Sequence, residues 1–267
     1  MMRVIVTGAS GRMGRMLVRA VAERDDAELV GATEKAGSVL VGTDAGKLAG
    51  AGSLGVPLVD DVTKLPEADV LIDFTTPEAC LDYARLAAER GLRMVIGTTG
   101  HDALQMETLR QTLASTPVVM AANYSVGVNL ALQLIRQAAR VLGPEYDAEI
   151  FEAHHRHKVD APSGTALAMG RSLADGRGVK LEDVAVYARE GITGAREPGS
   201  IGFAVVRAGS IVGEHKAMFV SDEERVEIGH IASDRMVFAK GAVRAARWLM
   251  DRPAGWYGME HVLGFAE

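Results

Sequence analysis

The chain has 267 residues, of which 48% are hydrophobic and 24% are charged. This length exceeds a typical domain of roughly 100 to 200 residues, so we expect two domains with ample cores. The net charge of -6 offers no overall basic surface, which argues against a nucleic-acid partner. No apolar run approaches the ~18 residues that cross a bilayer, the N-terminal apolar stretch is too short for a signal peptide, and the single Cys80 cannot form an internal disulfide. A cytoplasmic protein with no membrane partner is expected.

The first half alternates short β-branched runs with longer helical patterns. The predicted strands are residues 4–7, 29–33, 70–74, 94–97 and 118–121. The predicted helices are residues 12–23, 77–90, 103–114 and 126–142. Such alternation is typical of βαβ units, so the sequence predicts an α/β fold with a parallel sheet.

The pattern changes after residue 148. A strand at 149–153 leads through a polar loop into a helix from Thr165, and three strand-like stretches follow at 201–207, 211–219 and 225–231. Successive strands without helices between them predict an antiparallel or mixed sheet. A final apolar helix at 237–250 is expected to return to the first domain.

A glycine-rich turn, GASGRMG at 8–14, follows the first predicted strand and opens a helix. Glycines there let a pyrophosphate approach backbone N–H groups at the helix N-terminus. The spacing is GxxGxxG, a variant of the usual GxGxxG, and such a turn can also reflect tight packing alone. Glu34 lies 20 residues after Gly14, where an acidic side chain can hold ribose hydroxyls. Together these features favour dinucleotide binding.

Two cations accompany that acid: Lys35 directly follows Glu34, and Arg12 lies inside the turn. Either could pair with the 2′-phosphate of NADPH, whereas Glu34 alone favours NADH. Both could equally be solvated surface cations.

Three further loops, at 73–78, 97–100 and 121–125, end predicted parallel strands. Their Thr and Gly clusters could serve as turns and helix caps. Ligands bind at this edge of an open α/β sheet, so their convergence favours cofactor contact.

The segment EAHHRHKVDAPSGT at 152–165 is the richest in chemistry. Residues 154–158 contain three of the seven histidines, an arginine and a lysine, which predicts an anionic ligand. Histidine and lysine can exchange protons with a substrate, and the helix opening after Ser163 suits a carboxylate.

The alternatives for this segment are a basic surface loop, helix capping by Ser163, and a metal site. No metal is predicted, because adjacent histidines on an extended segment point to opposite faces and no clear carboxylate or cysteine completes a ligand set. Arg207 and Lys216, in the later strands, are assigned structural roles.

With these motifs and the later REG, GSIGFAVVRAGSIVGEH and GAVRAA stretches, the sequence resembles the dihydrodipicolinate (4-hydroxy-tetrahydrodipicolinate) reductase family from residue 3 to about 250. EAHHRHK and DAPSGTA are its most specific markers. The resemblance implies a Rossmann-type dinucleotide-binding domain, 1–125, completed by 236–267. It also implies a mixed α+β domain, 126–235, that binds a small dicarboxylate substrate and builds a homotetramer.

The implied activity is the reduction of 4-hydroxy-tetrahydrodipicolinate to tetrahydrodipicolinate with NADPH or NADH, in the diaminopimelate route of lysine biosynthesis. The implied catalytic residues are His154 and Lys158, and the implied substrate contacts are His155, Gly164 and Thr165. The expected cofactor residues are Gly8, Ala9, Ser10, Gly11, Arg12, Met13, Glu34, Lys35, Gly97, Thr98, Thr99, Ala121, Ala122, Asn123 and Tyr124. Family members often carry arginine after the ribose acid, whereas Lys35 stands here, so cofactor preference stays open.

Two competing functions are weaker. A semialdehyde dehydrogenase shares a glycine turn of this kind but needs a nucleophilic cysteine, and Cys80 lies within a predicted helix with no neighbouring histidine. A nucleotide-sensing regulator would need no histidine and lysine cluster.

Overall fold

The computed structural model describes residues 1–266, which form two compact units. Unit 1 comprises Met1–Val126 together with the segment from Arg235 onward, and unit 2 comprises Gly127–Asp234. The domains expected from the sequence differ from these units by one residue at each boundary.

Strands and helices alternate through the first half and then give way to a run of strands. The strands are β1 Met2–Val6, β2 Ala27–Thr33, β3 Leu58–Val59, β4 Val70–Asp73, β5 Arg93–Ile96, β6 Pro117–Met120, β7 Asp147–His154, β8 Ala185–Val186, β9 Ile201–Arg207, β10 Gly213–Val220, β11 Arg225–Ala232 and β12 Gly255–Tyr257. The helices are α1 Arg12–Ala22, α2 Ala45–Ala49, α3 Pro77–Arg90, α4 Ala103–Thr112, α5 Val126–Leu142, α6 Gly164–Arg177, α7 Leu181–Val184, α8 Met236–Leu249 and α9 Met259–Val262, with a 3₁₀ turn at Val62–Lys64.

Unit 1 is built on a parallel sheet in the order β12-β6-β5-β4-β1-β2-β3. One apolar core packs this sheet with α1 and α8, and a second packs it with α3 and α4. Because helices cover both faces, central strands such as β4 are buried throughout. The predicted Rossmann-like parallel sheet is confirmed, and α8 supplies the expected return of the chain to it.

Unit 2 has a mixed sheet in the order β11-β10-β7-β9-β8, in which β7 and β9 are parallel and β10 is antiparallel to β7 and β11. Helices α5 and α6 pack on one face through residues such as Ile135 and Met169. Strand side chains alternate between faces, so β7 directs Ile150, Glu152 and His154 toward the helix-covered face. The predicted mixed sheet is confirmed.

No helix within residues 1–266 has both the length and the apolar character needed to cross a membrane.

Candidate active site

The glycine turn between β1 and α1 is shaped by close backbone packing. Gly8 has φ +57°, a left-handed conformation that favours glycine, and a Cβ on Gly14 would lie 2.1 Å from the Gly8 carbonyl oxygen. Helix α1 starts after Gly11, which makes no side-chain cap. The N–H groups of its first turn therefore remain suited to an anion such as a pyrophosphate.

Glu34 follows β2 at the same edge of the sheet. Its Oε2 atom is buried and has no hydrogen-bond partner within residues 1–266. A buried acceptor of this kind suits the hydroxyls of a ribose. The neighbouring Lys35 and the turn residue Arg12 are exposed, and both cations thus remain open to solvent or to a ligand.

A buried carboxylate organises three of the loops at this edge. Asp73, at the end of β4, accepts hydrogen bonds from Thr7 Oγ1 at 2.6 Å, Thr75 Oγ1 at 2.7 Å and Thr98 Oγ1 at 2.5 Å. The Thr98 hydroxyl also accepts from the backbone N–H of Thr75 at 2.7 Å. Asp73 therefore links the loops after β1, β4 and β5, a role that the sequence analysis did not assign. The Thr98 side chain is fully engaged in this cluster.

The predicted cofactor residues in the loops after β5 and β6 differ in how far they are exposed to solvent. Thr99 and Ala122 are exposed, and Asn123 is half-buried. A Cβ on Gly97 would lie 2.2 Å from the Phe74 ring, so any larger residue there would displace that ring. Among the other predicted cofactor residues, Ala9 is buried and Gly11 is exposed. Five are half-buried: Gly8, Ser10, Met13, Gly97 and Ala121.

Tyr124 differs from the other members of that predicted set. Its side chain is 1% exposed, and its hydroxyl donates to the carbonyl oxygens of Ile96 at 2.7 Å and Val119 at 3.0 Å. Burial raises the pKa of Tyr124 well above its ordinary value. The side chain ties β5 to β6 inside the core, so any contribution of Tyr124 to cofactor binding rests on its backbone.

In unit 2, Glu152 is the centre of a buried hydrogen-bond network. Its Oε2 lies 2.5 Å from His154 Nδ1, and its two oxygens accept from the Arg207 guanidinium at 2.7 and 2.8 Å. The Ser163 backbone N–H donates to Oε1 at 2.9 Å. Burial alone would raise the pKa of Glu152, but these hydrogen bonds outweigh it and lower that pKa below its ordinary value.

Strand register explains how distant residues join this network. Parallel pairing sets Arg207 of β9 beside His154, and antiparallel pairing sets His215 of β10 opposite Glu152. The sequence alone predicts only a structural role for Arg207, and no motif in it singles out His215. Glu152 could have been found, because a residue two positions from His154 shares its face of a strand.

His215 packs against His154 with ring centroids 4.9 Å apart, and its Nε2 lies 3.0 Å from Ser163 Oγ. Burial, followed by the nearby His154, lowers the pKa of His215 to about 4. His215 is therefore uncharged at neutral pH. The Ser163 hydroxyl also accepts from Ala166 N–H and so caps α6.

The basic loop runs from the end of β7 to α6. The Lys158 N–H donates to the His155 carbonyl oxygen at 3.1 Å, and Lys158 Nζ pairs with Asp160 at 2.8 Å. Lys158 and His155 are half-buried. At the start of α6, Gly164 is exposed and Thr165 is half-buried, where the helix dipole favours anions. Unit 2 thus carries a buried, hydrogen-bonded histidine, a lysine on the loop that follows it and the N-terminus of α6.

Glu152, His154 and His215 bring one potential ligand atom each within 4.8 Å of one another, a spacing that could hold a metal ion. The premise that no carboxylate accompanies the histidines was therefore wrong. Both Glu152 oxygens already accept from Arg207, however, and that fixed positive charge would repel a second cation. We assign no metal to this cluster.

Cys80 does not fit the nucleophilic cysteine that a semialdehyde dehydrogenase requires. Cys80 is fully buried in α3, and burial, followed by the Asp73 charge, raises the pKa of its thiol.

Comparisons with known proteins agree with this geometry. The family model described as dihydrodipicolinate reductase, N-terminus, matches residues 2–124, and the one described as dihydrodipicolinate reductase, C-terminus, matches residues 127–263.

Solved structures share the fold. Dipicolinate-bound dihydrodipicolinate reductase from Paenisporosarcina sp. TG-14 is 24% identical, with a TM-score of 0.77 over 98% of this chain and 100% of that one. Amine dehydrogenase from Mycobacterium smegmatis is 15% identical, with a TM-score of 0.64 over 96% and 94%. A myo-inositol dehydrogenase from Corynebacterium glutamicum ATCC 13032 is 15% identical, with a TM-score of 0.60 over 95% and 90%. By its family matches, the chain belongs to the dihydrodipicolinate reductase family, whose NAD(P)H-dependent oxidoreductases act in the diaminopimelate route of lysine biosynthesis.

Proposed function

We propose that this chain reduces 4-hydroxy-tetrahydrodipicolinate to tetrahydrodipicolinate, with His154 and Lys158 as its proton-transfer residues. The observation that carries this assignment is the buried Glu152–His154 hydrogen bond beside a lysine-bearing loop and the N-terminus of α6. This combination can deliver a proton and bind carboxylates in one place.

The residues of unit 1 fit a nicotinamide dinucleotide. The turn from Gly8 to Met13 would hold the pyrophosphate, and the unpartnered Glu34 Oε2 would accept from a ribose hydroxyl. The loops at 97–99 and 121–124 would complete the site. When bound, NADPH or NADH supplies the hydride that reduces the substrate ring.

The substrate carries two carboxylates and therefore needs fixed positive charge and N–H donors. His155, Gly164 and Thr165 are placed at the basic loop and the first turn of α6, where a carboxylate is favoured. The relative from Paenisporosarcina sp. TG-14 is described as dipicolinate-bound, which supports a small cyclic dicarboxylate as the ligand class.

As the ring is reduced, electron density builds toward its nitrogen, and a positioned acid must supply a proton. His154 can donate from the ring nitrogen that does not face Glu152. Lys158 lies on the loop that follows His154, where it pairs with Asp160, and it can donate a proton or balance the developing charge.

A coupled assay tests this function directly. The substrate is made freshly by the preceding synthase, and the loss of NADPH and NADH absorbance is followed in parallel. We expect turnover with both cofactors, and binding of NAD(P)H without consumption would instead favour the nucleotide-sensing alternative.

Cofactor preference depends on exposed cations near Glu34. Lys35→Ala should raise the KM for NADPH more than the KM for NADH, because only NADPH carries the 2′-phosphate. Lys47→Ala, in the short helix α2 of the same unit, is a matched loss of charge. Equal effects on the two cofactors would show that Lys35 does not read the phosphate.

The family resemblance further supports a homotetramer built through unit 2 and a cytoplasmic location.

A further inference from the structure

We propose that Glu152, with its charge balanced by Arg207, is a positioning residue that fixes the ring tautomer of His154. The inference rests on the proposed function, in which His154 exchanges a proton with the substrate. Glu152 itself is fully buried on the helix-covered face of unit 2 and acts through His154.

The hydrogen-bond chemistry of an ionised carboxylate leaves one choice for the histidine. A carboxylate can only accept, so His154 Nδ1, 2.5 Å from Glu152 Oε2, must carry the proton. The neutral ring then has its lone pair on Nε2, which becomes the nitrogen that takes up and releases the catalytic proton. A Cβ on Gly213 would lie 3.2 Å from this Nε2, so glycine leaves room beside it.

Arg207 keeps the buried carboxylate ionised. Its guanidinium donates to both Glu152 oxygens, at 2.7 and 2.8 Å, in the bidentate geometry that favours the charged form. A protonated Glu152 could donate to His154 and reverse the tautomer. The arginine therefore helps to maintain the direction of the hydrogen bond.

The same carboxylate connects the histidine to the substrate-binding helix. Glu152 Oε1 accepts the backbone N–H of Ser163, the residue that caps α6 ahead of Gly164 and Thr165. The proton donor and the proposed carboxylate site are thus held by one side chain.

This backbone donor also makes Glu152→Gln an informative substitution. The Ser163 N–H and Arg207 Nη2 both donate to the Oε1 position, so the amide oxygen is favoured there and the amide N–H₂ faces His154 Nδ1 and Arg207 Nη1. His154 Nδ1 then has to accept, and the neutral ring shifts its proton to Nε2. The geometry near α6 is retained while the tautomer is reversed.

The direct measurement is ¹⁵N NMR of the histidine side chains in the full-length protein, at a pH where the rings are neutral. His154 is identified by the signal that His154→Gln removes. We expect Nδ1–H in the wild type and Nε2–H in Glu152→Gln. In the coupled assay, kcat of this variant should fall by about tenfold or more, up to the ~10²–10⁴-fold expected for loss of the acid. The KM for substrate should change little.

Glu149→Gln is the matched control. Glu149 lies on the same strand, and its carboxylate is likewise paired with arginines, Arg189 and Arg196. It faces away from His154, so the control should preserve both kcat and the His154 tautomer. Glu152→Gln leaves the Arg207 charge unpaired and sets its Nη1 donor against the amide N–H₂. The double variant Glu152→Gln/Arg207→Gln removes both the charge and that donor. The double variant should show the same tautomer reversal.

An Nε2–H tautomer of His154 in the wild type would overturn the proposal without any variant. An unchanged tautomer or an unchanged kcat in folded Glu152→Gln would also overturn it. Failure of the proposed function has a different signature, since wild-type protein would then fail to turn over the authentic substrate whatever its tautomer.

Discussion

At the scale of single residues, the proton-transfer assignment makes a direct kinetic prediction. His154→Gln and Lys158→Ala should each lower kcat by at least about 100-fold, the lower bound for loss of a positioned acid. Cofactor affinity should remain near wild type, because the glycine turn and Glu34 belong to unit 1. Steady-state kinetics with fresh substrate check this prediction, and near-normal kcat in both variants would contradict the assignment of His154 and Lys158 as proton-transfer residues.

His155→Ala is the comparison that separates binding from chemistry. If His155 contacts only a carboxylate, its loss removes binding that ground and transition states share, and the effect falls mainly on KM.

Because the pKa of His215 is lowered in the folded protein, we expect stability to depend on pH. Its folded-state pKa is about 4, whereas an unperturbed histidine titrates near 6.5. Between these values the unfolded state binds more protons, so the free energy of unfolding falls as pH falls through this window, by up to about 3 kcal/mol. The stabilisation that His215 contributes is fully present above pH 6.5.

His215→Gln should flatten that part of the profile. Urea unfolding midpoints of both proteins, measured from neutral pH down to about 4, make the comparison. His157→Gln, at an exposed histidine of the same unit, serves as control. Parallel curves for wild type and His215→Gln would contradict the prediction.

Sequence chemistry located the residues of this site unevenly. The density of charge at 154–158 singled out His154 and Lys158, because five adjacent positions reveal a local field without any tertiary knowledge. Arg207 and His215 join the site only through strand register, which pairs β7 with strands more than 50 positions away. A single sequence offers no physical signal for that register.

At the scale of elements, local chemistry determined which boundaries were predictable. Helix α3 spans 77–90 as expected, because Pro77 starts it, Thr76 caps it and Gly91 ends it in a left-handed conformation. The two- and three-residue strands β3, β8 and β12 were missed, since they are too short to show a period. Their pairing depends on neighbouring strands.

Asp73 predicts a coupling between loop order and cofactor binding. Asp73→Ala removes the acceptor shared by Thr7, Thr75 and Thr98, and buried hydroxyls left without it should cost about 1–3 kcal/mol. The KM for NAD(P)H should rise, because three loops at the sheet edge lose their common anchor.

Thermal unfolding midpoints and cofactor KM values measure both effects. Asp82→Ala breaks an exposed ion pair with Arg85 on α3 and should leave both nearly unchanged. An unaltered cofactor KM in a destabilised Asp73→Ala would show that the cluster serves stability alone.

At the scale of the whole molecule, the proposed homotetramer depends on the sheet face of unit 2 that α5 and α6 do not cover. That face carries a cavity of about 700 Å³ lined by residues that include Phe151, Met218 and Ile231, and Ile231 is 70% exposed. Apolar side chains on an open sheet face mark an interaction surface. In β9, Ile201 and Phe203 are buried within unit 2, whereas Val205 and Val206 are exposed.

Light scattering at micromolar concentration should therefore give about four times the chain mass of 28.3 kDa. Ile231→Glu places a charge in the proposed interface and should lower that mass, because an unpaired charge buried between copies is strongly disfavoured. Ile192→Glu makes the same change at a fully exposed loop position of unit 2 and should leave the mass unchanged. If the wild-type protein has the mass of a single chain, the tetramer is contradicted. If Ile231→Glu keeps the mass of the tetramer, the interface lies elsewhere.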